Sequence, residues 1–340
     1  MLSRRAFLGR AASVSAGAML GGRLLRAQNG TPIVLGSGSH RYTCRHDWLT
    51  APDGMAFGDT HGLAQDRQGL IYLAHTVHES SQSKDAVCVY SPEGQFLRSW
   101  GSRFAGGAHG LDLRDESGTE YLYHCDTKSR VVVKTTLDGE VVWERGAPIE
   151  SGKYSAGEPY IPTNVAFSPS GSLWVADGYG SNWIHKYSRD GSYMKTFGGA
   201  GTEPGQVNQP HGLWVDDRGN EPLLAVADRA NRRIQYFDMA GKHVRFEASG
   251  MRLPCDFDIR YGDMLVPDLQ SVVTLLDEDN RVIVQLGDGD PTDLRGKPRD
   301  QYVPGKFIHP HDAIFLHNGD ILVAEWVPTG RVTLLSRIQD

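Results

Sequence analysis

The chain has 340 residues, 39% of them hydrophobic and 22% charged, with 40 glycines and a formal net charge of −6. That length suits two ordinary domains or one repeat array, and the glycine content suits many turns with little helix. An acidic balance with no recognisable RNA or DNA motif excludes a general nucleic-acid surface.

Residues 1–27 read as an export signal rather than part of the fold. Ser3-Arg4-Arg5-Ala6-Phe7-Leu8 is a twin-arginine motif, a weakly apolar run extends from Ala11 to Gly22, and Leu25-Arg26-Ala27 offers a cleavage site. The run is too short to span a bilayer and is closed by Arg23, which argues against a membrane anchor. The expected location is therefore periplasmic or secreted, and loss of Arg4, Arg5, Arg10, Arg23 and Arg26 takes the formal charge from −6 to −11. Export of folded, often cofactor-loaded proteins by this route favours a metal site. Cys44, Cys88, Cys125 and Cys255 include no Cys-x-x-Cys pair, which excludes a cysteine zinc knuckle. They allow three disulfide pairings, and the sequence does not choose among them.

Residues 28–340 read as one domain. A lead-in over 29–57 carries one strand-like piece at 41–48. Units then start at Thr60-His61-Gly62-Leu63 and Ala108-His109-Gly110-Leu111, and a polar Gly-rich insertion follows at 146–159. The two clearest units run over 161–198 and from Gln209, with a spacing of 48 residues from Thr163 to His211. Each has a Pro-led start, a strand, a Gly-containing turn, a second strand ending in Ala-Asp, and two further alternating strands. Four short strands with period-2 alternation make one antiparallel propeller blade, and this spacing signals a repeat array. A fifth unit starts at Pro254-Cys255-Asp256-Phe257, and 288–306 reads as a long surface loop of the kind that forms functional lids. The sixth unit, from His309-Pro310-His311-Asp312, has only three strands. The fold class is thus all-β, a six-bladed propeller, with the piece at 41–48 expected to close the sixth blade. Trp174, Trp214 and Tyr236 fall at alternating strand positions and are expected between blades.

Stacking the six starts aligns His61, His109, Thr163, His211, Cys255 and His311. Equivalent positions in a ring of six lie at one height, and alternate blades are about 120° apart. His109, His211 and His311 would therefore converge on the axis as three imidazoles with a position left open, the form of a catalytic zinc site. One histidine at a strand start would be a simple cap, but four of six at one repeat position exceed what capping needs. His61 and Cys255 share the column, either orienting the ligands or serving a second ion, and Cys255 also suits a small buried role. Tyr179 and Arg229 lie just past the second strands of neighbouring blades and would face the same side. Their plainer roles are a packed loop aromatic and an ion pair with Asp228.

The segments ADGYG and ADRANRRIQYFD and the PHGL starts resemble NHL-repeat propellers. The whole exported chain is similar to the peptidyl-α-hydroxyglycine α-amidating lyase branch and its exported bacterial relatives. The resemblance implies zinc on His109, His211 and His311, Tyr179 as base and Arg229 at the substrate. It also implies a structural calcium on Asp312 with the main-chain carbonyls of Leu63 and Leu111. An arginine of that family falls on Thr76 here, beside His75 and His78, and His309 replaces a methionine. The family's disulfide positions are not cysteine. These departures place His61, His75, Thr76 and His309 as substrate-side residues and predict a substrate less anionic at that end. The expectation is a zinc-dependent lyase acting on a small polar substrate. The alternatives are a metal-dependent lactone or glycoside hydrolase in the same pocket, and a non-catalytic interaction platform. No nucleic-acid partner and no membrane span are expected.

Overall fold

The computed structural model describes residues 31–155, 157–289 and 294–339. The export signal at 1–27 lies outside the described residues. Six antiparallel sheets follow one another along the chain. The first five have four strands each, beginning with Thr60–Gln65, Ala108–Glu116, Asn164–Phe167, Pro210–Asp216 and Asp258–Arg260 as innermost strands. The sixth joins Pro310–Phe315, Ile321–Glu325 and Arg331–Arg337 to a strand from the start of the domain, His40–Arg45, and outside that to Val34–Ser37.

The pairing of His40–Arg45 with the last strand is antiparallel, with Tyr42 opposite Arg337 and Arg45 opposite Leu334. The strand is shorter than the expected 41–48. Trp48 leaves the ladder, although its amide still donates to the Val332 carbonyl at 2.8 Å. Its ring lies under Gly94, at the turn of the first blade, where a Cβ would come within 2.9 Å of it. Chain start and chain end thus share one sheet, and the next residues cross to the neighbouring blade.

The apolar core is divided into six clusters, each spanning two adjacent blades. Period-2 alternation makes this division, because side chains leave both faces of each strand and meet those of the next sheet. Trp174 and Tyr236 are fully buried in such clusters, and Trp214 packs at the edge of one. Tyr42 is 1% exposed and fills the cluster between the fifth and sixth blades. The four cysteines are free thiols, and no described helix is long and apolar enough to cross a membrane.

Each blade also carries an acceptor at the end of its second strand. Asp177 accepts from the amides of Ile161 and Ser181 at 2.7 Å, and Asp268 from those of Arg252, Leu253 and Gln270 at 2.7–2.8 Å. Asp126, Asp228 and Glu325 do the same for Lys128 and Ser129, Asn208 and Ile308. These bonds satisfy turn amides that the sheet leaves unpaired and fix the loop that follows each second strand.

Because blade closure buries Tyr42 between two blades, Tyr42→Ala should cost about 3–5 kcal/mol, the usual range for a buried aromatic truncated to alanine. It should lower Tm by several degrees in thermal unfolding. Deleting residues 28–48 should leave insoluble or much less stable protein. A truncated protein that melts like the intact domain would show that the ring closes without this strand.

Candidate functional site

All four column histidines sit where the innermost strand breaks register against its partner. The shifts fall between Thr60 and Gly62, Ala108 and Leu111, Pro210 and Leu213, and Pro310 and Asp312. A bulge at a strand start re-aims its side chain, here toward the axis. The glycine after the histidine allows the approach. A Cβ on Gly110 would lie 2.4 Å from the Thr163 carbonyl, and one on Gly212 would lie 2.3 Å from that of Cys255. Glycine after the histidine is therefore a steric requirement in the first, second and fourth blades, while Asn164, Asp256 and Asp312 hold that place in the other three.

Three of these histidines are held in the same way. His109 Nδ1 donates to the Thr163 carbonyl at 2.8 Å, His211 Nδ1 to that of Cys255 at 2.8 Å, and His311 Nδ1 to that of His61 at 3.2 Å. Each bond reaches the column residue of the next blade. It fixes the tautomer and leaves the Nε2 lone pair free, as carbonyl partners do for histidines that bind metals. The ring centroids of His109, His211 and His311 are 4.7–4.8 Å apart. Burial disfavours the protonated form of all three. The His109 pKa is lowered to about 4, and those of His211 and His311 lie well below the usual value. They are neutral imidazoles at physiological pH, the state in which they bind a metal.

His61 does not stand apart from this set. Its Nδ1 is 3.2 Å from Nε2 of His311, and its ring is 4.8 Å from His109. His61, His109 and His311 together bring ligand atoms within 4.8 Å of one another. With the His311 Nδ1 proton given to a carbonyl, His61 must donate to His311, so it competes for a lone pair that a metal would use. The ligand atoms shown to converge are thus those of His61, His109 and His311, whereas the carbonyl tethers favour His109, His211 and His311.

Tyr179 and Arg229 complete this end of the axis. The Tyr179 hydroxyl lies 2.9 Å from Nε2 of His211 and 3.2 Å from that of His109, while 36% of the residue stays exposed at the mouth. Burial of the hydroxyl raises its pKa, and the neighbouring Arg229 charge lowers it. Arg229 is 6% exposed, with Nη1 3.4 Å from that hydroxyl and Nη2 3.4 Å from Gln209 Oε1. The expected alternative partner, Asp228, pairs with Arg233 instead, so Arg229 has no carboxylate partner among the described residues. Cys255 is buried beside it, its thiol pushed up to about 12 by burial.

The other substrate-side expectations resolve differently. His75 is fully buried at the end of a second strand, where its Nδ1 accepts from the amides of Val77 and Gly58 at 3.0 and 3.4 Å. It is the sixth member of the acceptor series, a neutral imidazole in place of a carboxylate, and does not face the axis as a contact. Thr76 Oγ1 accepts from the Asp59 amide at 3.0 Å, and His309 Nδ1 donates to the Leu269 carbonyl at 2.6 Å. Both are occupied by the backbone. His78 bonds to Ser80 at 2.8 Å, away from the cluster.

Further along the axis lies a group of carboxyls that the sequence reading largely missed. Asn164 Nδ2 is 3.3 Å from Asp112 and 3.0 Å from Asp256, and Asp312 accepts from the Leu63 amide at 2.6 Å. Leu63 thus presents its amide to Asp312, and Leu111 is buried between the first two blades. Burial and mutual repulsion hold Asp112 and Asp256 well above the usual carboxylate range. Burial raises Asp312 to about 7 and Asp258 to about 6. Oxygen donors crowded without a cationic partner among the described residues suit a hard divalent cation such as calcium. A cavity of about 480 Å³ opens at the far mouth, between the ends of the innermost strands, and is lined by Asp112, Asp258, Phe167 and Trp214. The convergent lone pairs, hydroxyl and guanidinium are all at the histidine end, and that end is the candidate site.

No family model matches the chain. It is 28% identical over 199 residues to human NHL repeat-containing protein 3, a match that covers 56% of this chain and 55% of that protein. It is 25% identical over 206 residues to a probable peptidyl-α-hydroxyglycine α-amidating lyase of Caenorhabditis elegans, covering 53% and 55%. The chain spans about half the length of these relatives. Among solved structures, virginiamycin B lyase from Staphylococcus aureus superposes with a TM-score of 0.56 over 87% of this chain and all of that one, at 12% identity, which speaks to fold alone. In sequence and architecture the chain is an NHL-type six-bladed β-propeller that resembles the peptidyl-α-hydroxyglycine amidating lyases.

Proposed function

We propose that the protein is an exported zinc-dependent lyase that breaks a bond beside a hydroxyl-bearing carbon of a small polar substrate. The observation that carries this reading is the set of three imidazoles with Nδ1 tied to neighbouring blades and ring centroids 4.7–4.8 Å apart, with a tyrosine hydroxyl beside two of their Nε2 atoms. Zinc held by Nε2 of His109, His211 and His311 would supply Lewis acidity toward a substrate oxygen. Tyr179 stands within reach of that oxygen to take its proton. Arg229 favours the ionised tyrosine and keeps donors free for an anionic group. In such an elimination the hydroxyl proton leaves, its oxygen closes to a carbonyl and the adjoining bond to nitrogen or oxygen breaks. The proton then passes to the leaving atom, and no water is consumed. Export by residues 1–27 would place this chemistry outside the cytoplasm.

The ligand set can be tested by metal analysis of untagged protein. His109→Ala and His311→Ala should each lose stoichiometric zinc. His211→Ala should lose it as well, whereas His61→Ala should keep it. Retention by His211→Ala and loss by His61→Ala would move the site to the other trio, and wild-type protein that takes up no zinc would leave an interaction platform.

The reaction class is tested with an N-acyl-α-hydroxyglycine probe in ¹⁸O-labelled water. Unlabelled glyoxylate oxygen on release, with Tyr179→Phe lowering kcat about 10²-fold or more, supports elimination with Tyr179 moving the proton. Rapid incorporation of label at the cleaved bond, faster than exchange of free glyoxylate, would instead indicate hydrolysis.

The axial carboxyls, including Asp312, would hold calcium. Their folded pKa values are raised above the unfolded ones, so the folded chain holds more protons and a cation-free fold loses stability as pH rises from about 4 to 7. A cation replaces those protons. Added calcium should therefore raise Tm more at pH 8 than at pH 5, and Asp256→Asn should remove most of the difference. Equal shifts at both pH values would exclude the carboxyls as ligands.

A further inference from the structure

The loop over 294–306 is fastened to the histidine face of the ring at several points. Arg299 donates to Asp47 at 2.6 Å, and Arg295 Nη2 donates to Asp59 Oδ1 at 2.7 Å. Arg295 Nε donates to the Trp326 carbonyl at 3.0 Å, and its guanidinium lies 3.5 Å over the Trp326 ring. Trp326 follows the second strand of the sixth blade, as Arg229 does in the fourth and Thr76 in the first. The repeat therefore puts Trp326, and the guanidinium stacked on it, on the same face as Arg229. Asp59 lies two residues before His61, so Arg295 stands between the sixth and first blades, across the axis from Arg229.

We propose that Arg295 is a second anion-binding residue of this site, holding the charged end of the substrate on the side away from Arg229. Its Nη1 has no partner among the described residues, and its side chain is 27% exposed. Nη1 and the outer hydrogen of Nη2 thus form an open pair of donors, while Asp59 and Trp326 fix the plane that carries them. Thr76 acts as a positioning residue, because its hydroxyl and amide hold the Asp59 backbone at 3.0 Å each. The position expected to lack a guanidinium therefore supports one that comes from a distant loop, and the substrate is anionic at that end.

The inference rests on the lyase reading, and one experiment separates the two. Cobalt(II)-loaded protein is titrated with an N-acyl-α-hydroxyglycine carboxylate and with its uncharged methyl ester, following the visible cobalt band. Arg295→Ala should weaken the carboxylate about 10-fold or more and leave the ester unchanged, Arg295→Lys should recover part of the loss, and Thr76→Val should shift the carboxylate in the same direction. Unchanged carboxylate affinity in Arg295→Ala, or equal losses for both probes, overturns the role of Arg295 and leaves the lyase reading standing. A wild-type cobalt spectrum that responds to neither probe removes both.

Discussion

The site depends on one hydrogen bond made three times, from a histidine Nδ1 to the backbone carbonyl of the next blade. That bond exists only if innermost strands approach within about 3 Å of one another at the axis. For His109 and His211 the approach in turn requires glycine at the following position, since a Cβ on Gly110 or Gly212 would crowd the carbonyl. Ring closure is then coupled to the chemistry. The His311 tether to His61 joins the first blade to the sixth, the sheet that holds both chain start and chain end.

The acceptor at the end of each second strand does a different job with the same economy. It ties down turn amides and so aims the one or two residues that follow it over the face of the ring. Those residues are Tyr179, Arg229 and Trp326 in the third, fourth and sixth blades, and they differ in every respect except position. A buried carboxylate can fill the acceptor place because several amides converge on it, and a neutral imidazole fills it equally well in the first blade.

This division explains what was legible in the sequence. The blade spacing, the histidine column and the Tyr179–Arg229 pair follow from a repeat, and a repeat converts sequence offset into position in space. His75 looked like part of the pocket because its neighbours in sequence are near the face, whereas its hydrogen bonds assign it to the acceptor series. Asp112 and Asp256 escaped notice because they occupy different offsets in their blades, three residues after His109 and one after Cys255. Arg295 lies in a loop with no periodicity, so nothing in the sequence ties it to Asp59, 236 residues away.

A fully symmetric column would not serve the same purpose. Six inward imidazoles would crowd one another, and each lone pair would face another ring rather than a shared point. Replacing alternate members breaks that ring into three imidazoles about 120° apart, and Thr163 and Cys255 do so in the third and fifth blades. His61 is the member that symmetry would also remove, and its ring spends its Nδ1 proton on His311 rather than on a carbonyl. It therefore holds the Nε2 lone pair of His311 in a hydrogen bond, one that a metal bound there would have to break. Such an arrangement keeps His311 oriented by a second hydrogen bond besides its own carbonyl tether.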